Sequence, residues 1–212
     1  MGPLWPKKEK NMNNSQKIKK MAGLSLLAAL VVVLQLVSTY LPIGTVSITL
    51  ALIPIVVGAI VYGPGSGFVL GIVMGIFVCL DPKTIGFLQY SFIGTVIVCL
   101  LKSAIAGFIS GIIFKLLCKK NMVLAIILAA ISVPIINTGL FLLASLTIFL
   151  PLIVPEASDA GVSAIVYIVV YMIGINFVIE FIVNSILSPV VIRIVELYGI
   201  HKKIGSNTDL SF

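Results

Sequence analysis

Two ionisable side chains, Lys102 and Glu180, stand inside long apolar runs of this 212-residue sequence. In hydrocarbon such a group costs a few kcal/mol or more, so each is a candidate functional residue by default. Polar groups accompany them. Asn176, Glu180 and Asn184 follow at i, i+4 and i+8, forming one stripe along a helix face. Ser91, Thr95, Cys99, Lys102 and Ala106 share another face. Counting about 1.5 Å per residue from the outer ends of their runs, Lys102 lies roughly 16 Å deep, Asn137 roughly 18 Å and Asn176 roughly 20 Å. Pro134 removes a backbone donor one turn before Asn137, which frees a carbonyl and bends that helix toward a cavity. The residues expected at a polar pocket are Lys102, Asn137, Thr138, Asn176, Glu180, Thr95, Gln89 and Tyr90. Three chemistries are open to them. Lys102 and Glu180 neutralise each other as a buried pair, Lys102 meets an anionic ligand whose other groups the amides satisfy, or Glu180 relays protons. Tyr167 and Tyr171 read as interfacial anchors, and Asp81, Glu156 and Asp159 as solvated loop charges.

Other chemistries lack their residues. The 63–67 segment is glycine-rich but has no Lys-Ser/Thr after it and no preceding strand, so it is no phosphate loop, and the chain is not expected to hydrolyse ATP. His201 is the single histidine, and HExxH, GxSxG and paired-carboxylate patterns are missing. Cys79, Cys99 and Cys118 show no metal-ligand spacing. The expectation is a non-enzyme with no bound cofactor or metal.

The elements that position these residues are membrane helices. Hydrophobic residues make up 60% of the chain and charged ones 10%, against roughly half and about a quarter in soluble domains. Six apolar runs stand between charges, Pro or Gly: 21–40, 46–62, 66–80, 91–117, 122–150 and 162–187. The second and third are short and joined by the turn Gly63-Pro64-Gly65. The fold class read from this is an all-α integral membrane protein, six transmembrane helices in a single bundle, spanning 17–203. Residues 1–16 form a leader excluded from the fold, with Met12 the expected natural start, and 204–212 a tail. The first run is too long for a signal peptide and lacks a cleavage site. The net charge of +7 would fit nucleic acid, but the basic residues cluster at run ends. Placing the N-terminus in the cytoplasm puts Lys17, Lys19, Lys20, Lys115, Lys119, Lys120, Arg193, Lys202 and Lys203 on one side, with both termini inside.

Small residues at four-residue spacing mark packing seams: Gly67, Gly71 and Gly75 on the third run, Ser103, Gly107 and Gly111 on the fourth. The latter two glycines lie roughly 140° to 180° from Lys102, so seam and pocket face are separable. A third stripe, Ser25 and Ala29 with Ala22 and Ala28, sits on the first run.

The segment Ser47-Ile-Thr-Leu-Ala-Leu-Ile-Pro54-Ile-Val-Val-Gly58-Ala-Ile-Val-Tyr-Gly63-Pro64-Gly65-Ser-Gly67, followed by Gly71 and Gly75, resembles the second and third spans of S components. These are the substrate-binding subunits of energy-coupling factor (ECF) vitamin transporters. The run Gly107-Phe-Ile-Ser-Gly111-Ile-Ile-Phe-Lys115 and the basic start extend the resemblance across nearly all of 17–203. It implies a bacterial cell-membrane subunit that captures a vitamin outside and docks on a T component and two ATPases, which use the ATP. It further implies that the subunit topples to carry its ligand inward, with loops 41–49 and 151–161 capping the site. The family's AxxxA docking motif is matched by Ser25 and Ala29, with Ser standing at the first small position, and Ala22 beside them.

Lys102 favours a carboxylate, and Asn137, Asn176 and Thr138 suit a short polar amide, a combination that pantothenate carries. The Leu101-Lys102 and Ile136-Asn137-Thr138-Gly139-Leu140-Phe141 stretches look similar to pantothenate-type S components. Lipoate also fits Lys102 but leaves the Asn residues without a task. Riboflavin wants aromatic stacking partners, and the one Trp lies in the excluded leader. The competing class is a stand-alone proton-coupled carrier working through Glu180.

Overall fold

A computed structural model describes residues 14–40 and 49–197. The leader up to residue 13, most of the first loop, His201, Lys202, Lys203 and the tail lie outside the described residues. Every described element is helical: α1 (Asn14–Tyr40), α2 (Leu52–Tyr62), α3 (Pro64–Cys79), a 3-10 turn (Pro82–Thr84), α4 (Ile85–Tyr90), α5 (Phe92–Leu117), α6 (Met122–Thr147) and α7 (Leu150–Asp159). A last rod follows, made of α8 (Ala164–Val166), a π-helical stretch (Tyr167–Gly174) and α9 (Ile175–Leu197).

Four of these are long and apolar enough to cross a membrane: Lys17–Tyr40, Phe92–Leu117, Met122–Thr147 and Ala164–Arg193. A fifth arises if α3 is counted with the segment Pro82–Tyr90, from which it is bent by 76°. The second expected run, 46–62, is represented by α2, an 11-residue helix, and its first residues, 46–48, are outside the described ones. Eight of the residues of α2 are buried, so it is a central pillar of the bundle, packed on α1, α3, α5, α6 and α9.

Local chemistry explains the breaks. Gly63 has φ +98, a conformation that Gly adopts without penalty, and Pro64 starts α3 where a missing N–H costs nothing. Asn121 caps α6 by accepting from the Leu124 amide at 3.0 Å, and Asp81 caps the 3-10 turn from the Lys83 amide at 2.9 Å. The two glycine seams pack on each other. A Cβ at Gly71 would run into the Ser103 carbonyl, one at Gly75 would sit 2.6 Å from the Cys99 carbonyl oxygen, and Gly67 and Gly107 oppose one another. This backbone-to-backbone approach of α3 and α5 is what small residues permit in a medium with no hydrophobic drive.

Three expectations change. Residues 151–161 are mostly not a loop: α7 forms there with Ile153 and Ala157 buried, its apolar side covering Phe149 and Ile168. The polar stretch 81–90 folds into a turn and a short helix. The last run does not stop at Ser188-Pro189, because α9 passes Pro189 and continues to Leu197. A membrane helix tolerates an internal Pro when its neighbours satisfy the freed carbonyls. Pro134 is likewise carried inside an unbroken α6, and nearby the Ser110 and Ser132 hydroxyls both donate to Ala129 O, at 2.9 and 2.8 Å, the first of them tying α5 to α6.

The packing also sorts the ends of the bundle. A Cβ on Gly23 would meet the Tyr62 ring and one on Gly111 would meet Pro64, so the start of α1, the Gly63 turn and the end of α5 share one end. Lys17, Lys19, Lys20, Lys115, Lys119 and Lys120 therefore gather there. Asp81, α4 and α7 lie at the other end.

Candidate functional site

A cavity of about 320 Å³ opens at the end away from the lysine cluster. The side chains lining it come from α1, α3, α4, α5, α6, the π-helical stretch and α9, and from the segments around Thr49 and Asp81. Lys102, Asn137, Thr138 and Glu180 are all among them, brought together from α5, α6 and α9 in agreement with the sequence. The Lys102 Nζ lies 5.3 Å from the centroid of the Phe141 ring, a cation–π placement that steadies a partly desolvated ammonium. Among the described residues no ion pair joins Lys102 to Glu180. Glu180 is buried and accepts instead from the Thr49 hydroxyl, while Asn184 Nδ2 donates to the Glu180 carbonyl at 2.8 Å. Asn137, also buried, accepts from Ser103 at 3.4 Å.

The remaining expected residues are placed differently. Thr95 is buried, donates to Phe87 O at 2.8 Å, and does not line the cavity. Its hydroxyl ties α5 to α4. Gln89 and Tyr90 are exposed on α4, outside the lining. The Asn176 side chain lies outside the described residues, although its helix is seen. Tyr167 and Tyr171 stack on each other, centroids 5.5 Å apart, away from the cavity.

Several lining groups were not among those expected from the sequence. Asp81 is not a solvated loop charge: it accepts from Thr39 at 2.6 Å and borders the cavity with Lys83 and Thr84. Thr49, in a segment expected only to cap the site, reaches Glu180 directly. Gln35, 5% exposed, lines the cavity from α1, and its Oε1 is buried without a hydrogen-bond donor among the described residues. A Gln inside an apolar run was the available signal. Aromatic faces are present without tryptophan, contrary to expectation. Phe87, Phe141 and Phe177 all line the cavity, and Phe87 makes edge contacts with Phe141 and Phe149 at 6.0 and 4.9 Å.

On the first helix Ala22, Ser25 and Ala29 are exposed, while Val31, Gln35 and Ser38 turn inward. The small-residue stripe is thus an outer face of the bundle. The α3–α5 seam, by contrast, is wholly internal.

A helical membrane bundle enclosing a pocket lined by two ammonium groups, two carboxylates and two amides defines a small-solute binding protein of the membrane. The family model described as "ECF transporter, substrate-specific component" matches residues 19–192, and the chain belongs to that family. It is a transport subunit. Neither a search among curated proteins nor one among solved structures finds a match.

Proposed function

We propose that this chain is the S component that captures pantothenate for an ECF importer in a bacterial cell membrane. The observation carrying the reading is Lys102, which faces the cavity beside Phe141 with no carboxylate paired to it among the described residues. An anionic ligand supplies that partner. Asn137 and Thr138, neighbours on α6, suit the amide, and Met74, Met172 and Phe177 suit the dimethyl carbon. Phe87, Phe141 and Phe177 also suit a longer apolar or ring-bearing vitamin, so lipoate and riboflavin are alternative outcomes of the same assay.

The ends of the bundle support capture from outside. With the lysine-rich end in the cytoplasm, as loop charge demands, six spans return both termini inside and the cavity opens outward. The Thr39–Asp81 and Thr49–Glu180 bonds then draw α1, α3 and α9 around the mouth. Release inward requires energy, which a T component and two ATPases supply from ATP, docking on the Ala22, Ser25 and Ala29 face. The test is uptake of radiolabelled pantothenate into proteoliposomes. ATP-dependent uptake only with the T component and ATPases present supports the reading. Concentrative uptake by the chain alone, driven by a pH gradient, would establish the proton-coupled carrier instead.

A further inference from the structure

Gln35 is the one buried lining residue whose side-chain oxygen lacks a donor among the described residues. Leaving a buried amide oxygen unmade is unfavourable, and the favourable replacement, an apolar residue, is freely available in a membrane helix. Its retention is explained if something that enters the cavity donates to it. The neighbouring groups show what that is. Lys102, Asn137, Thr138 and Phe141 line the α5–α6 wall, where Lys102 is a donor only. Gln35 enters the lining from α1, which packs mainly on α2 and α3, and Glu180 from α9 beside α6, and both carry acceptor oxygens. At about 1.5 Å per residue, Gln35 sits roughly 8 Å and Lys102 roughly 15 Å below the ends of their helices, so the two groups stand at different depths.

We infer that Gln35 is a specificity-determining residue, whose Oε1 accepts from a hydroxyl at the end of the ligand remote from its carboxylate. The cavity then selects small acids that are anionic at one end and hydrogen-bond donors at the other. This rests on the vitamin-binding reading above. A carboxylate with a purely apolar tail leaves Gln35 unpartnered and is discriminated against.

The full chain is purified in detergent and titrated with pantothenate and with N-(3,3-dimethylbutanoyl)-β-alanine, which keeps the carboxylate and amide but lacks both hydroxyls. Gln35→Leu is expected to weaken pantothenate roughly 10- to 100-fold and to leave the deoxy compound within about twofold. The melting temperature of the unliganded variant should stay level or rise, since the orphaned oxygen is gone. Unchanged pantothenate affinity, an equal loss for both compounds, or a lowered unliganded melting temperature overturns the inference, the last two marking a structural role. If the wild type binds another vitamin instead, the pantothenate assignment falls. Gln35 is then tested on that vitamin, with an unchanged affinity in Gln35→Leu overturning it. A wild type that binds none overturns both.

Discussion

Lys102 and Glu180 both line the cavity, and among the described residues no ion pair joins them. Glu180 is held by Thr49, which fixes a segment just before α2 against α9, and Lys102 lies over the Phe141 ring. If Glu180 is an anchor of this kind, Glu180→Gln keeps a hydrogen-bonding side chain for Thr49 and lowers vitamin affinity by about 1 kcal/mol, some fivefold. Uptake by the assembled transporter should persist, measured with labelled vitamin in proteoliposomes. Complete loss of uptake with binding intact would argue for a proton relay. Lys102 and Glu180 were legible in the sequence because a charge in an apolar run is too costly to keep without a task. Gln35 and Asp81 were not, because an uncharged amide is a weaker signal and a loop acid is ordinarily solvated. Their roles depend on which helices meet, and that is a tertiary fact.

Among the elements, α3 and α5 form the frame that holds Lys102 in place. A side chain at Gly71 would collide with the backbone of Ser103 and Ala104, so the helices would have to separate along the whole seam. Gly71→Leu is expected to destabilise the detergent-solubilised protein by about 3 kcal/mol or more, beyond ordinary overpacking, because backbone is the obstacle. Gly65→Ala, where a Cβ meets nothing within 4 Å, should be neutral. Thermal melts of both variants check this pair, and equal melting temperatures would contradict the seam. The four-residue spacing made this contact readable, since it repeats on both partners. The helix at 150–159 was harder to see, because Pro151 and Pro155 read as loop signals. In the structure Pro151 falls in the first turn of α7, where a proline is tolerated. Helix persistence through Pro189 was likewise hidden from local signals.

At the scale of the whole molecule, a cavity at one end, a lysine-rich opposite end and an exposed small-residue face on α1 describe a binding subunit built to be energised by others. Membership of the ECF substrate-specific component family agrees with that layout. The double variant Ser25→Leu with Ala29→Leu alters only exposed positions of α1, so binding by the purified chain should stay within about twofold, while ATP-driven uptake falls to background. Full uptake at normal expression would move the docking face elsewhere. Composition and run lengths already carried the fold class, whereas a ligand could not be read from them, since the groups lining the cavity are drawn from segments far apart in the chain. The most direct test is a binding titration of the purified chain against pantothenate, lipoate, riboflavin and neutral pantothenol, repeated with Lys102→Ala. Tight pantothenate binding is expected, weakened by about 10-fold or more both by the substitution, which removes a charge-assisted hydrogen bond, and by loss of the carboxylate in pantothenol. Pantothenate and pantothenol binding equally well, or Lys102→Ala binding like the wild type, would contradict the role given to Lys102.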